Sequence, residues 1–285
     1  METSSPAKIN LTLEILGKRP DGFHELATWI IPIGLADVIQ IETAAETSFS
    51  CNVPELKGDM SNLIIRAVKL FNEAASIDSA YAVRLHKEIP LGAGLGGGSS
   101  NAAATLRLLN RLHDSRFTLD ELHKFGAMLG SDVPFFIEGR SALCTGRGEI
   151  TEPRDFPRGL WVCLFKPGFA VSTAAAYRAY SQLPDGARRG RETETPWGRL
   201  RNDLEQAVFP KYLFLALMKD WLQGQAETIF ALMSGSGSTV FAIVSGQSNG
   251  ESLCARFANQ FGVQTWSTVC SLNPPESLKG KRCSG

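Results

Sequence analysis

The chain has 285 residues, 44 % of them hydrophobic and 20 % charged, a composition typical of a globular protein with one large or two modest domains. Its 29 Lys and Arg residues balance 29 Asp and Glu residues, which argues against a nucleic-acid partner and against a dedicated binder of anionic membranes. The six cysteines contain no Cys-x-x-Cys pair and no apolar run is long enough to span a membrane, so we expect reduced thiols, a cytoplasmic location and no membrane partner.

The first predicted strand covers residues 7–15, where apolar and polar residues alternate. Lys8 and Asn10 lie side by side on its polar face, which is solvated in most such strands but could here form part of a site. A turn rich in Gly, Pro and charged residues comes next and leads to Phe23 and His24. A single His at a strand edge is more often structural than functional, so His24 alone is a weak candidate.

Two further strands and a helix are predicted before residue 72. The strands cover residues 26–31 and 35–42, which are both rich in apolar residues. The helix covers residues 62–71, where apolar side chains recur at helical spacing, and Ser61 is its expected N-cap.

The segment from Pro90 to Ser100 contains five glycines and separates a predicted strand at 81–86 from a predicted helix at 101–112, with Ser99 or Ser100 as the N-cap. Such a junction offers an anion free backbone N–H groups and the positive end of a helix dipole. We interpret the segment as a phosphate cradle. The alternative, a flexible glycine-rich loop, is disfavoured because a linker is rarely followed at once by a capped helix.

The elements after the glycine segment narrow the type of phosphate site. Gly92, Gly94 and Gly97 fit the dinucleotide fingerprint G-x-G-x-x-G, but the helix leads to a capping box at 118–121 and a second helix instead of a strand ending in an acid. The P-loop is excluded because no Lys precedes Ser99. The protein-kinase loop is excluded because no later strand carries a lysine in a Val-Ala-Ile-Lys-like motif. The residues alone leave a nucleotide-phosphate site of another kind.

An acidic residue, Asp132, comes after the second helix, which we expect to end at Gly130. Pro134 is expected to keep Val133 extended, and residues 135–144 are expected to form a hairpin. The apolar neighbours would partly bury the Asp132 carboxylate, which would then need a partner. A turn or helix-capping Asp is an equally good interpretation.

Composition changes at residues 151–159, and we place a boundary there between domains 1–155 and 156–285. A second glycine–serine loop, 234–238, is either a simple hairpin turn or a second anion-contacting loop that closes over the first. The stretch 184–198 is interpreted as a solvated loop, and the tail from Asn273 is expected to fray. The other elements predicted in this half are strands at 160–165, 229–233, 239–244 and from 263, and helices from Ser172 or Thr173, from 202 and at 213–222 and 251–261.

Five motifs in fixed order resemble the GHMP kinase superfamily over residues 6–275: Pro-Ala-Lys-Ile-Asn-Leu, Arg-Pro-Asp-Gly-Phe-His, the glycine segment, Leu-Gly-Ser-Asp-Val-Pro-Phe-Phe and Ser-Gly-Ser-Gly-Ser. The resemblance implies a two-domain α/β (α+β) fold, with an N-terminal ribosomal-protein-S5-like nucleotide domain and a C-terminal ferredoxin-like domain. Within the superfamily, the motifs are similar to members that use ATP to phosphorylate the 2-hydroxyl of 4-diphosphocytidyl-2-C-methyl-D-erythritol in the non-mevalonate isoprenoid pathway. The implied partners are these two small molecules, with Mg²⁺ as cofactor, and we expect a monomer or a weak homodimer.

The same resemblance implies roles for individual residues. Asp132 would orient or deprotonate the acceptor hydroxyl, and Lys8 would pair with Asp132. No Mg²⁺ ligand is identified beyond a guess at Ser99 or Ser100. ATP would contact Asn62, Lys87, Pro90, Leu91, Gly92, Ala93, Gly94, Leu95, Gly96, Gly97, Gly98, Ser99 and Ser100. The acceptor would contact Asn10, Phe23, His24, Thr173 and Tyr177.

The chain departs from the family pattern at two aromatic positions. The family more often has Tyr at the position of Phe23 and Phe at the position of Tyr177, and both exchanges keep an aromatic face. Two alternatives remain: another GHMP kinase, such as a homoserine or mevalonate kinase, and a catalytically silent nucleotide-binding protein. Phe23 together with His24 disfavours another GHMP kinase. Lys8 together with Asp132 disfavours a catalytically silent nucleotide-binding protein.

Overall fold

Six strands form the first β-sheet of this computed structural model, which describes residues 1–274. The sheet order is β3-β4-β2-β5-β6, with β1 paired to β2, and these strands are β1 (Glu2–Lys18), β2 (His24–Ala44), β3 (Ser48–Cys51), β4 (Ala80–His86), β5 (Ala142–Gly146) and β6 (Ile150–Pro153). The tail that we expected to fray lies, from residue 275 onward, outside the described residues, as does Cys283.

The rest of the described chain adds a second, four-stranded antiparallel sheet of order β10-β11-β7-β12 and a small β8–β9 hairpin. Its strands are β7 (Trp161–Lys166), β8 (Thr193–Thr195), β9 (Gly198–Leu200), β10 (Thr228–Met233), β11 (Val240–Val244) and β12 (Trp266–Ser271). The helices are α1 (Leu63–Ala75), α2 (Gly97–Leu112), α3 (Leu119–Leu129), α4 (Val133–Glu138), α5 (Thr173–Ser181), α6 (Glu205–Val208), α7 (Leu213–Gln223) and α8 (Gln247–Phe261). None of the helices within residues 1–274 is long and apolar enough to cross a membrane.

Strand β2 is one continuous strand where the sequence predicted two. One of its edges pairs with β1 over nearly its whole length, from the Lys18–His24 pair to the Glu2–Gln40 pair. Its other edge pairs first with β5 and then with β4. The Pro-Ile-Gly stretch lies between the β5 and β4 pairings, where β1 pairs with Pro32 and Ala36 and Leu272 forms a bridge with Ile33, and its backbone stays extended.

The polar face of β1 is buried, contrary to the usual solvated arrangement. Lys8 and Asn10 are each 3 % exposed, although they alternate with core residues such as Ile9. The glycine segment and the loop after β10 cover this face, and their polar groups hydrogen-bond to Lys8 and Asn10. The β1–β2 pair therefore carries a core on one face and polar groups with specific partners on the other.

The expected hairpin over 135–144 and the expected extended Val133 are both wrong, because residues 133–138 form the short helix α4. Asp132 is its N-cap residue, and Pro134 lies in the first turn, where a missing N–H costs no helical hydrogen bond. Gly139 ends the helix with φ +68°. The hairpin of this region is β5–β6, which turns at Gly146 to Gly148.

Two helix N-caps also differ from the prediction, whereas the capping box does not. Asn62, not Ser61, caps α1 by accepting a hydrogen bond from the N–H of Ile64. Helix α2 begins inside the glycine run, with Gly96 as N-cap instead of Ser99 or Ser100. Helix α3 has the predicted Thr118–Glu121 capping box and ends at Gly130.

The two sheets share one hydrophobic core at their junction. Ile9 and Ile31 of β1 and β2 belong to the same buried cluster as Leu164 and Phe241 of the second sheet. A bridge between Ile33 and Leu272 adds backbone hydrogen bonding between the two sheets. The domain boundary after residue 155 falls between β6 and β7 and stays a prediction.

Candidate active site

A cavity of about 1020 Å³ opens between the glycine segment, the β1–β2 turn and helix α5. Both the first sheet and the segments around the second sheet contribute to its wall. Two predicted site residues, Asn62 and Ser100, do not line it. The predicted residues that do line it are Lys8, Asn10, Phe23, His24, Lys87, Asp132, Thr173, Tyr177 and every residue from Pro90 to Ser99.

The glycine segment requires glycine at several positions, because the backbone has positive φ values there or because a Cβ atom would clash with a neighbouring group. Gly92, Gly94 and Gly96 have φ values of +61°, +75° and +71°, which other residues rarely adopt. A Cβ at position 94 would lie 2.4 Å from the carbonyl oxygen of Ser234, and a Cβ at position 96 would lie 2.8 Å from the Phe136 ring. The backbone of this segment is therefore exposed to the cavity on one face and closely packed on the other.

Helix α2 points its N-terminus into the cavity. Its first N–H groups, from Gly97 to Ser99, have no partner within the helix, since the first intrahelical bond joins the Ser100 N–H to the Gly96 carbonyl at 2.9 Å. Free N–H groups and the helix dipole favour an anion at this point. Ser100 itself faces the interior, where its Oγ accepts a hydrogen bond from Ser5 Oγ at 2.8 Å.

Lys8 connects the glycine segment to Asp132. Its Nζ donates hydrogen bonds to Asn10 Oδ1 at 2.5 Å and to the Gly94 carbonyl at 2.9 Å, and it lies 3.6 Å from Asp132 Oδ2. The Lys8 side chain is only 4 % exposed, while that of Asp132 is 35 % exposed. A buried ammonium thus holds a carboxylate that remains accessible from the cavity.

The amide of Asn10 is engaged within the protein. Its Oδ1 accepts from Lys8, and its Nδ2 donates to Thr28 Oγ1 at 2.8 Å. Thr28 in turn donates to the carbonyl of Thr12 at 2.6 Å. Asn10 therefore orients Lys8 in this structure, and its expected contact with the acceptor stays a prediction.

Three aromatic rings line another part of the cavity wall. His24 stacks on Tyr177 with ring centroids 5.2 Å apart and planes 26° apart, and His24 Nε2 lies 3.0 Å from Ser181 Oγ. Phe23 is 49 % exposed, and the Arg147 guanidinium lies 4.8 Å from the centre of its ring. The sequence did not indicate that Tyr177 would pack against His24.

The two stacked rings stay uncharged at neutral pH. Burial lowers the pKa of His24 below its usual 6.5, and the nearby charges of Lys18 and Arg188 lower it further. Burial raises the pKa of Tyr177, and the carboxylate of Asp132 adds to that rise. A neutral, partly buried aromatic surface suits an uncharged planar ligand.

The second glycine–serine loop, 234–238, is a β10–β11 hairpin turn that also packs on the first loop, and its contact with an anion stays a prediction. Ser234 Oγ donates to the Gly94 carbonyl at 3.0 Å. Ser236 Oγ lies 2.9 Å from Thr173 Oγ1, and Gly235 and Ser236 line the cavity. Asn202, which is fully buried and was not singled out in the sequence, donates to the Gly235 carbonyl at 2.7 Å and fixes the loop.

The wall of the cavity is rich in cations. Lys18, Arg147 and Arg178 line it together with Lys8 and Lys87, and their location was not evident from the sequence. Asp132 is the one acidic residue that lines it in the described part of the chain. Such a wall suits polyanionic ligands.

Two family models match the chain. The GHMP kinases N-terminal domain matches residues 62–140, and the GHMP kinases C-terminal model matches residues 190–263, which together exceed half of the chain. The chain belongs to the GHMP kinase family. The expected α/β fold of that family is confirmed.

Individual GHMP kinases are similar over most of the chain. A 4-diphosphocytidyl-2-C-methyl-D-erythritol kinase of Methylacidiphilum infernorum is 44 % identical over 81 % of this GHMP kinase and 82 % of the relative. The kinase of the same name from Gloeobacter violaceus is 39 % identical over 93 % and 91 % of the two chains. A crystal structure of 4-(cytidine 5'-diphospho)-2C-methyl-D-erythritol kinase superposes with a TM-score of 0.77 at 33 % identity, covering 96 % of this chain and all of the other.

A more distant GHMP kinase shares the fold alone. The homoserine kinase of Cytophaga hutchinsonii superposes with a TM-score of 0.71 over 96 % of this chain and 94 % of its own. The two chains are only 15 % identical. The two proteins therefore share the fold, and the shared fold does not identify the acceptor.

Proposed function

We propose that this GHMP kinase transfers the γ-phosphoryl group of ATP to the 2-hydroxyl of 4-diphosphocytidyl-2-C-methyl-D-erythritol, a step of non-mevalonate isoprenoid precursor synthesis. The relatives that cover most of the chain carry the name of this kinase. The observation that carries the proposal is the position of the Lys8–Asp132 pair, which lies in one cavity with the glycine segment and with the His24–Tyr177 stack. A phosphate donor and an aromatic-bearing acceptor can both reach that pair.

The donor is held by backbone groups. The N–H groups of the glycine segment and of the first turn of α2 bind the β- and γ-phosphates of ATP. Phosphoryl transfer requires mainly positioning and charge stabilisation, and a fixed backbone supplies both without reorganisation. The close packing of Gly94 and Gly96 supports such rigidity.

Asp132 and Lys8 act on the acceptor. The hydroxyl oxygen attacks the γ-phosphorus, the bond to the β–γ bridging oxygen breaks, and the hydroxyl proton passes to the Asp132 carboxylate. Lys8 keeps the carboxylate in place and stabilises the negative charge that develops on the attacking oxygen. The 3.6 Å separation of Lys8 Nζ and Asp132 Oδ2 and the exposure of Asp132 support these roles.

The aromatic end of the cavity binds the cytosine. Phe23 provides one stacking surface, Tyr177 another, and neutral His24 provides a hydrogen bond to the base edge. Thr173, at the start of α5, contacts the diphosphate of the acceptor. The direction of α5, which runs from Thr173 beside Ser236 to Ser181 beside His24, supports this order of contacts along the substrate.

The cavity fits a magnesium ion held mainly by the nucleotide. The residues 1–274 contain no group of three or more His, Cys, Asp or Glu side chains that could hold a metal ion. Mg²⁺ often needs only one or two protein oxygens when phosphates and water supply the others, and the Ser99 hydroxyl is available in the cavity. The ion would neutralise phosphate charge during transfer. The cytoplasmic location and the monomer or weak homodimer are part of the same proposal.

A panel of acceptors tests the proposed substrate. The purified chain is incubated with ATP, Mg²⁺ and, in separate reactions, 4-diphosphocytidyl-2-C-methyl-D-erythritol, homoserine or mevalonate, and ADP release is measured. We expect turnover with the cytidyl acceptor alone. Faster turnover with homoserine or mevalonate would reject the proposed substrate, and ATP consumption with none of them would reject all three.

Replacing Phe23 by Ala should raise KM for the cytidyl acceptor and leave KM for ATP nearly unchanged. The lost base stacking corresponds to about 1–3 kcal/mol, or roughly a 5- to 150-fold increase in KM. Since Phe23 is half exposed, the substitution should not affect folding. The control Phe23→Tyr keeps the ring and should bind the acceptor like the wild type. Equal increases of both KM values in Phe23→Ala would contradict the assignment.

Acceptor binding should depend on pH through His24. Because the pKa of His24 lies below 6.5, the imidazole is neutral at pH 7 and the acceptor KM should be constant between pH 7 and 8. As the pH falls through that lowered pKa, the ring becomes charged, loses its acceptor nitrogen, and KM should rise. The variant His24→Gln, which does not titrate, should lose this dependence. A wild-type midpoint above pH 6.5 would contradict the neutral His24.

A further inference from the structure

Asp37 is a fully buried carboxylate on β2 that lies outside the cavity and was not singled out in the sequence. Its two oxygens accept four hydrogen bonds, two from backbone N–H groups and two from side chains. A buried charge without partners would be strongly unfavourable, so this set of donors fixes the carboxylate in one position. All four donors belong to residues that lie directly before or directly after the glycine segment in the sequence.

One carboxylate oxygen holds the chain where it enters the glycine segment. Oδ1 of Asp37 accepts from the N–H of Glu88 and from the N–H of Ile89, both at 2.9 Å. These two residues immediately precede Pro90. The backbone that starts the segment is thus tied to β2.

The other oxygen holds the chain where it leaves the segment. Oδ2 accepts from Asn101 Nδ2 at 2.8 Å, and Asn101 is the fifth residue of α2. The same Nδ2 group donates to Ser5 Oγ at 2.9 Å, which in turn donates to Ser100. Asp37 and Ser5 therefore fix the first turns of α2 against β1 and β2.

The second donor to Oδ2 is the ammonium of Lys87, at 2.5 Å. This Nζ lies 3.0 Å from the position that a Cβ of Gly97 would occupy, directly at the first residue of α2. Lys87 also lines the cavity although it is 8 % exposed. Asp37 thus places a positive charge at the same helix N-terminus that faces the phosphates.

We propose that Asp37 is a positioning residue for ATP binding. It sets the separation between the two ends of the glycine segment and keeps the Lys87 ammonium at the N-terminus of α2. The anion-binding shape of the segment then exists before ATP arrives, and no binding energy is lost in ordering it. This inference rests on the proposed function only in that the glycine segment binds ATP.

The variant Asp37→Asn tests the role, because it keeps the shape of the side chain and removes its charge. The NH₂ group of the new amide is itself a hydrogen-bond donor, so it cannot accept the hydrogen bonds that one carboxylate oxygen accepts in the wild type. We expect the Kd for ATP, measured by calorimetry without acceptor, to rise about 10- to 100-fold, as for loss of hydrogen bonds to a charged group. The KM of the phosphoryl acceptor should stay within about twofold of wild type, a difference of less than half a kcal/mol by the same conversion.

A matched control separates positioning from general destabilisation. Leu253→Ala removes a fully buried side chain on α8 that does not line the cavity, and it lowers the stability of the fold without changing the glycine segment. We expect it to leave the Kd for ATP unchanged per folded molecule. Equal weakening of ATP binding by both variants, or an Asp37→Asn variant that binds ATP like the wild type, would overturn the proposal.

A second variant covers the case in which Asp37→Asn does not fold. Asn101→Ala removes the hydrogen bonds from Asn101 to Asp37 and to Ser5 at the exit of the segment and leaves the carboxylate with Lys87 and two N–H donors. It should weaken ATP binding severalfold, and unchanged binding would overturn the proposal. Because ATP binding is measured without acceptor, an error in the proposed acceptor would appear in the acceptor panel and not in this experiment.

Discussion

Replacing Asp132 by Asn should lower kcat by about 10²–10⁴-fold, the contribution typical of a positioned general base. The amide cannot accept the hydroxyl proton and carries no charge to pair with Lys8, which lies 3.6 Å away. ATP binding should be nearly intact, because the N–H groups of the glycine segment and α2 do not depend on Asp132. Steady-state kinetics gives kcat, and calorimetry without acceptor gives the Kd for ATP.

The control for this variant is Asp155→Asn, since Asp155 is an exposed residue outside the cavity. It removes the same charge and should leave kcat unchanged. If Asp132→Asn or Asp132→Ala kept more than about a tenth of the wild-type kcat, Asp132 would not be the base.

Replacing Lys8 by Met should lower kcat by about 10²–10³-fold, a loss typical of one preorganised charge-stabilising donor. Met fills a similar volume but leaves the Gly94 carbonyl, Asn10 Oδ1 and the Asp132 carboxylate without their shared donor. Since Gly94 belongs to the glycine segment, the Kd for ATP should also rise, in contrast to the Asp132 variant.

The control is Lys124→Met, the same substitution at an exposed lysine. Its kcat and its Kd for ATP should equal those of the wild type. Thermal unfolding of Lys8→Met must show a folded protein for the comparison to count. A folded Lys8→Met variant with wild-type kcat would exclude the ammonium from the reaction. The variant Lys8→Arg should not restore activity. The Lys8 side chain is already closely packed beside Gly96, which leaves little space for the larger guanidinium group.

Local sequence signals predicted the local structure well. The Thr118–Glu121 capping box, the Gly130 end of α3 and the strand before the glycine segment all depend on residues a few positions apart. Where two local signals competed, the prediction was wrong. Ser61 and Asn62 are both good N-caps, and the five apolar residues from Val133 are too few to distinguish a helix turn from a strand.

The sequence identified the site residues that lie in motifs of the family. It did not identify the residues whose role depends on contacts between distant segments of the chain. The resemblance assigned Lys8 and Asp132, which the fold then brings within 3.6 Å across more than a hundred residues of sequence. Asp37 and Asn202 carry no motif, because their partners come from segments far along the chain. The packing of the 234–238 loop on the glycine segment was one of the interpretations that the sequence left open, and the contact with Gly94 is seen only in the tertiary structure.

Phosphorus NMR of the reaction product tests the central claim most directly. ATP and 4-diphosphocytidyl-2-C-methyl-D-erythritol are incubated with the wild-type chain, and the product spectrum is recorded beside that of Asp132→Asn. We predict a new phosphomonoester signal on the 2-oxygen of the methylerythritol, an unchanged diphosphate and an equal amount of ADP, with the signal appearing about 10²–10⁴-fold more slowly for the variant. Release of inorganic phosphate without the monoester, or a monoester formed equally well by Asp132→Asn, would contradict the account.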